Sequence, residues 1–197
     1  MEYVTYSRKA SAATGQMIVA GFGTVWMIAW CVQQRGWDPA VLTLIALAGA
    51  AITLAAWSQF RAGRVQPDSQ MERGAYRARG RAFLWINLAQ WAALFAQGPL
   101  LAWAGHPAWS QAAVILIVGV HFLPLARVFD ARQHYLTGAL LIAVAFAYPW
   151  LGRNLPAYPA GLFATGTILW ISALLTFYRV GVHTGWRMPT AGYIARN

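Results

Sequence analysis

Charge and sulfur are scarce in this chain. Only 10% of its 197 residues are charged, Asp and Glu together number five, and Cys31 is the single cysteine. One cysteine excludes an intrachain disulfide and a cysteine metal cluster. No pair of His, Cys, Asp or Glu shows metal-ligand spacing, so neither a metal nor another resident cofactor is expected. No glycine loop that could cradle phosphates occurs, which argues against an ATP-driven role. The charged residues also avoid the middle of every long apolar run. Proton pumps and many ion-coupled transporters keep a carboxylate or a paired charge at membrane depth, because a moving ion needs a group that titrates or coordinates; coupling of that kind is disfavoured.

What is abundant is apolar surface. Hydrophobic residues make up 59% of the sequence and the mean hydropathy is +0.46. A spanning helix takes roughly 20 mostly apolar residues, and six such stretches fit: residues 14–33, 40–60, 82–103, 109–128, 134–151 and 160–179. The runs are continuous rather than alternating, which favours helices over a membrane barrel. The expectation is an all-α, polytopic integral membrane protein, one domain of six transmembrane helices in a compact bundle. The first span is full length, follows Ser7-Arg8-Lys9 and lacks a small-residue cleavage pattern, so it is expected to remain as a transmembrane helix.

The formal charge of +10 would suggest nucleic acid in a soluble protein, but here its distribution gives another reason, and no nucleic-acid partner is expected. Thirteen of the 15 Lys and Arg fall on one side of the six-span arrangement. They comprise Arg8 and Lys9, the six arginines of the 61–81 loop, Arg127 and Arg132, and Arg179, Arg187 and Arg196. Only Arg35 and Arg153 fall on the other. The positive-inside rule therefore places both termini and the 61–81 loop in the cytoplasm of a plasma (inner) membrane. Trp37, Trp103, Trp109 and Trp150 at the outer ends, with Trp57, Trp85 and Trp186 at the inner ones, form the two aromatic belts.

The 61–81 loop is the one long polar stretch. Ser69 and Glu72 have capping-box spacing after Pro67, so the third helix is expected to begin near residue 70. Its arginines suit anionic lipid headgroups, although setting topology is explanation enough for them. In the second span Ala46/Ala50, Gly49/Thr53 and Ala51/Ala55 recur at four-residue spacing, which permits close packing against another span or a second subunit of a homo-oligomer. No internal repeat is evident, so an inverted-repeat transporter has no support.

Inside the apolar runs the polar residues are few. Asn87, Gln90 and Gln97 on the third helix share an arc of about 80°, a stripe that should face protein or water because bare amides in hydrocarbon are costly. His121 interrupts the run VILIVGVHFLPLAR, three residues before Pro124, which frees the Val120 carbonyl. Counted from each span centre, His121, Gln90, Ser172 and Thr53 lie about 4–5 Å, and Asn87 and Thr137 about 8–9 Å, to the cytoplasmic side. Five helices thus offer polar groups at similar depth. Trp26, Trp91 and Trp170 fall near the midplane, where an indole N–H needs an acceptor.

An intramembrane ionisable residue is a functional candidate in its own right, while the bland account is that these groups satisfy one another. The reading adopted is a small-molecule binding or transport protein whose ligand site, in the cytoplasmic half, comprises His121, Asn87 and Gln90 with Trp91 as a wall. A flat, mostly apolar ligand would suit it. One alternative is a non-catalytic membrane scaffold or partner subunit. Another is an intramembrane hydrolase using Ser172 and His121, but no Gly-x-Ser-x-Gly or oxyanion signature accompanies Ser172, so an enzyme is not the favoured reading and no catalytic residue is assigned. A bis-histidine haem site is disfavoured, because His134 begins the fifth span near the cytoplasmic surface and His106 and His183 lie in loop and tail.

Overall fold

The computed structural model describes residues 2–62, 70–151 and 159–183. Among these the chain forms six α-helices, α1 (Glu2–Arg35), α2 (Pro39–Ala62), α3 (Gln70–Trp103), α4 (Ser110–Val128), α5 (Gln133–Leu151) and α6 (Ala160–His183), with one 3₁₀ turn, Pro107–Trp109, before α4. All six expected apolar stretches are helical. The third begins at Gln70, as the capping-box spacing implied, although Ser69 itself lies outside the described residues.

Local chemistry explains the turns. Asp38 caps α2, its Oδ1 accepting from the backbone N–H of Ala40 at 3.1 Å and of Val41 at 3.2 Å, and Pro39 opens the helix where an N–H would have no partner anyway. After α3, Gly105 takes φ +78° and lets the His106 N–H reach back to the Leu101 carbonyl at 2.7 Å, closing the helix end. The same closure after α4 runs from the Ala131 N–H to the Ala126 carbonyl at 2.9 Å. Here Asp130 holds the left-handed position, at φ 49°. Short turns make successive helices antiparallel neighbours.

Packing is organised around α6. The helices α1, α2 and α6 pack on one another, α4, α5 and α6 do the same, and α6 belongs to both groups. One core cluster joins Val19 and Ala20 of α1, Ile115 and Phe122 of α4, Leu141 and Tyr148 of α5, and Leu169 and Ala173 of α6. A smaller one joins Met27 and Cys31 of α1 to Ile45 of α2. Between α4 and α5 the backbones themselves meet: a Cβ on Gly138 would lie 2.8 Å from the Gly119 carbonyl oxygen, so this crossing exists only because both residues are glycine. The small-residue stripe of α2 has its neighbour within the chain, since Gly49 packs against Thr24 of α1.

The bundle is less closed than the sequence led us to expect. Among the described residues α3 packs on α4 and the turn before it, and on no other helix, and it places no side chain in either core cluster. Ala82, Phe83, Ile86, Asn87, Gln90, Ala93, Leu94 and Gln97 form its half-buried face, while Leu84, Trp85, Leu88, Trp91 and Phe95 are exposed.

Four segments are long and apolar enough to cross a membrane: Ala13–Arg35 in α1, Pro39–Arg61 in α2, Pro107–Val128 in α4 with the turn before it, and Ala160–Arg179 in α6. On α3 the amides interrupt the apolar run, and α5 opens on Gln133 and His134. A helical bundle with four such segments and exposed Phe22, Leu44, Leu47, Leu54, Phe146 and Ile171 supports a membrane protein, because large apolar side chains are stable facing lipid.

Candidate functional site

The polar residues at similar depth do not converge on one point. They divide among three seams, because α6 is shared by two groups of helices and, among the described residues, α3 meets no α-helix but α4.

The α3–α4 seam holds three of the four expected site residues. The amide stripe of α3 does face α4. The Gln97 Oε1 accepts from the Ser110 hydroxyl at 3.1 Å at one end, and Phe83 meets Phe129 edge-on, 5.7 Å between centroids, at the other. Between them His121 is half-buried. Asn87 turns its Nδ2 to the Phe83 carbonyl one turn back on its own helix, at 2.7 Å, and Gln90 is half-buried on the same face. The His121 Nδ1 is buried without a partner. Trp91 stands outside this seam, 49% exposed and stacked on Phe95 at 5.9 Å.

One residue of this site escaped the sequence reading. His134, expected near the cytoplasmic surface, is half-buried, and its Nδ1 also lacks a partner. Phe122 lies between the two histidines, its ring 6.2 Å from His121 and 5.5 Å from His134. The available signal was the tightness of the α4–α5 turn, which folds residues on either side of Asp130 back onto one another.

The α5–α6 seam is a closed ladder whose direction follows from counting protons. Each hydroxyl has one to give. Thr137 donates to the Gln133 carbonyl at 3.1 Å and Thr176 to the Ser172 carbonyl at 2.8 Å. Thr176 also accepts from the Gln133 Nε2 at 2.8 Å. The Thr137 and Ser172 oxygens lie 2.7 Å apart, so the proton between them must come from Ser172. The Ser172 hydroxyl is thus hydrogen-bonded across the seam to α5.

Outside this ladder a groove of about 220 Å³ runs between α5 and α6. Leu136, Leu140, Ile168, Ile171 and Leu175 wall it, Thr137 and Ser172 lie at its floor, and Arg132 and Arg179 line one end.

The third seam joins α1, α2 and α6. Trp170 donates its indole N–H to the Thr24 hydroxyl at 3.3 Å, and Thr24 donates to the Ala20 carbonyl. Thr53 bonds to the Gly49 carbonyl of its own helix. The Gln59 Nε2 reaches the Phe177 carbonyl at 3.2 Å. Gln16 is 2% exposed, with neither amide atom hydrogen-bonded. Among the described residues no three His, Cys, Asp or Glu side chains gather as a metal site would require.

Comparison with known proteins adds no relative: no protein family matches this chain, and neither a curated protein nor a solved structure is similar to it.

Proposed function

We propose that this chain is a six-span inner-membrane protein, with both termini and the 61–81 loop in the cytoplasm, that binds or carries a small, flat, mostly apolar molecule at the α3–α4 seam. Asn87, Gln90 and His121 supply its polar contacts. The orientation rests on the lopsided distribution of Lys and Arg, and the arginines of the 61–81 loop also suit anionic headgroups.

The observation that carries the reading is the buried, unpartnered Nδ1 of His121 in a seam whose other wall is a helix that, among the described residues, packs on no other α-helix. A buried polar atom without a partner costs about 1–3 kcal/mol, which a ligand offering a hydrogen bond would recover. α3 contributes nothing to the core clusters, so it can separate from α4 without disturbing them.

Accessibility of single cysteines tests this. In a Cys31→Ala background, Asn87→Cys and Gln90→Cys are exposed to a charged, membrane-impermeant thiol reagent, with Arg79→Cys as the solvent-exposed control. Modification at the two seam positions is expected, because the reagent travels only through water. Labelling of the control alone would mean a dry seam and would replace the binding reading with that of a non-catalytic scaffold.

A further inference from the structure

The groove between α5 and α6 carries a combination found at no other described seam: apolar walls along its length and two guanidinium groups at one end, Arg132 from the turn before α5 and Arg179 near the end of α6. Among the described residues no hydrogen bond or ion pair engages the guanidinium group of either arginine. The one described acid in the adjoining turn, Asp130, is exposed and pairs with neither. Two unneutralised forks converging on one groove favour an anion, and guanidinium suits phosphate geometry in particular.

The walls say what must be attached to that anion. Leu136 and Leu140 follow one another at four-residue spacing on α5, and Ile168, Ile171 and Leu175 do so at three and four on α6, so each helix presents a continuous apolar edge. From Arg179 back to Ile168 the helix rises about 16 Å, close to the roughly 15 Å of hydrocarbon in one leaflet. The floor hydroxyls have no proton left to offer, since those of Thr137 and Ser172 are both directed into the ladder. A peptide backbone would find no hydroxyl donor there, whereas an acyl chain needs none.

We propose that this groove holds one anionic phospholipid of the surrounding bilayer, its phosphate between Arg132 and Arg179 and an acyl chain along Leu136, Leu140, Ile171 and Leu175. The hydrogen-bonded ladder behind it keeps α5 and α6 at a fixed separation, so the groove is preformed. The proposal requires that the chain reside in a bilayer, but it does not depend on the α3–α4 seam; a dry seam would leave it intact.

Native mass spectrometry of the full chain in mild detergent, titrated separately with phosphatidylglycerol and phosphatidylcholine, tests it. The first phosphatidylglycerol adduct should form more tightly than the phosphatidylcholine one. Its affinity should fall about fivefold for each arginine removed in Arg132→Gln and Arg179→Gln, the worth of one basic residue against an anionic headgroup, with selectivity lost in the double variant. Both arginines are exposed, and circular dichroism should show the helices unchanged. Leu140→Trp with Ile171→Trp should weaken the adduct by occupying the tail path. A control variant, Arg35→Gln at the far end of α1, should leave the first adduct as it was. Undiminished phosphatidylglycerol binding in the Arg132/Arg179 double variant, or its loss in the control variant, would overturn the assignment. So would equal affinity for the two lipids in the unaltered protein.

Discussion

Ser172 donates its hydroxyl proton to Thr137 across 2.7 Å, from α6 to α5, because Thr137 has already given its own to the Gln133 carbonyl. That single relationship turns the Ser172 hydroxyl toward α5 and ties together the two helices that form the groove.

The first prediction follows directly. Removing the contact through Ser172→Ala, Thr137→Val and the double variant should give a coupling energy of about 0.6 kcal/mol, and at most about 1.7, as for other interhelical hydrogen bonds in membrane bundles. Reversible unfolding in bicelles measures it. A fluorophosphonate probe should leave Ser172 unmodified. Labelling that depended on His121 would bring the hydrolase reading back.

Gly138 and Gly21 make a paired test of close packing. A Cβ at Gly138 would meet the Gly119 carbonyl at 2.8 Å, whereas one at Gly21 meets nothing within 4 Å. Gly138→Ala should therefore destabilise by about 1–3 kcal/mol, since backbone cannot yield to the added methyl. Gly21→Ala should be neutral or stabilising by up to about 1 kcal/mol, from helix propensity alone. The same unfolding assay compares them, and equal effects would contradict the crossing described for α4 and α5.

Gln16 offers a test in the opposite direction. It is 2% exposed with its amide unpaired on both atoms, so Gln16→Leu removes two unsatisfied groups at similar volume. Such a change should stabilise by roughly 1–3 kcal/mol. A clear loss of stability would show that the amide has a partner, such as an ordered water, that makes it worth keeping.

How far the sequence reaches is clearest on α3. The angular grouping of Asn87, Gln90 and Gln97 follows from helical periodicity alone, and the structure does turn that stripe toward a neighbour. Trp91 shows the limit: one residue beyond Gln90 the helix has rotated by about 100°, enough to carry the indole from the seam to the exposed face. The expected polar layer failed to assemble for a related reason. Depth along a helix can be counted from the sequence, but the direction in which each polar group points depends on which helices are neighbours. His134 and Arg179 were both visible as residues. Neither could be assigned a partner until α5 had been placed against α4 on one side and α6 on the other.

Composition and local pattern were sufficient for the helices themselves and for their order. The reason is that backbone hydrogen bonding, capping and apolar run length are settled within a few residues of each position. The attachment of α3 to α4 and the turn before it, the direction of the Ser172–Thr137 hydrogen bond and the pairing of Arg132 with Arg179 at one groove were decided only by tertiary packing. Each depends on contacts between segments distant in sequence, and those contacts are set by which helix surfaces fit together, such as Gly119 against Gly138.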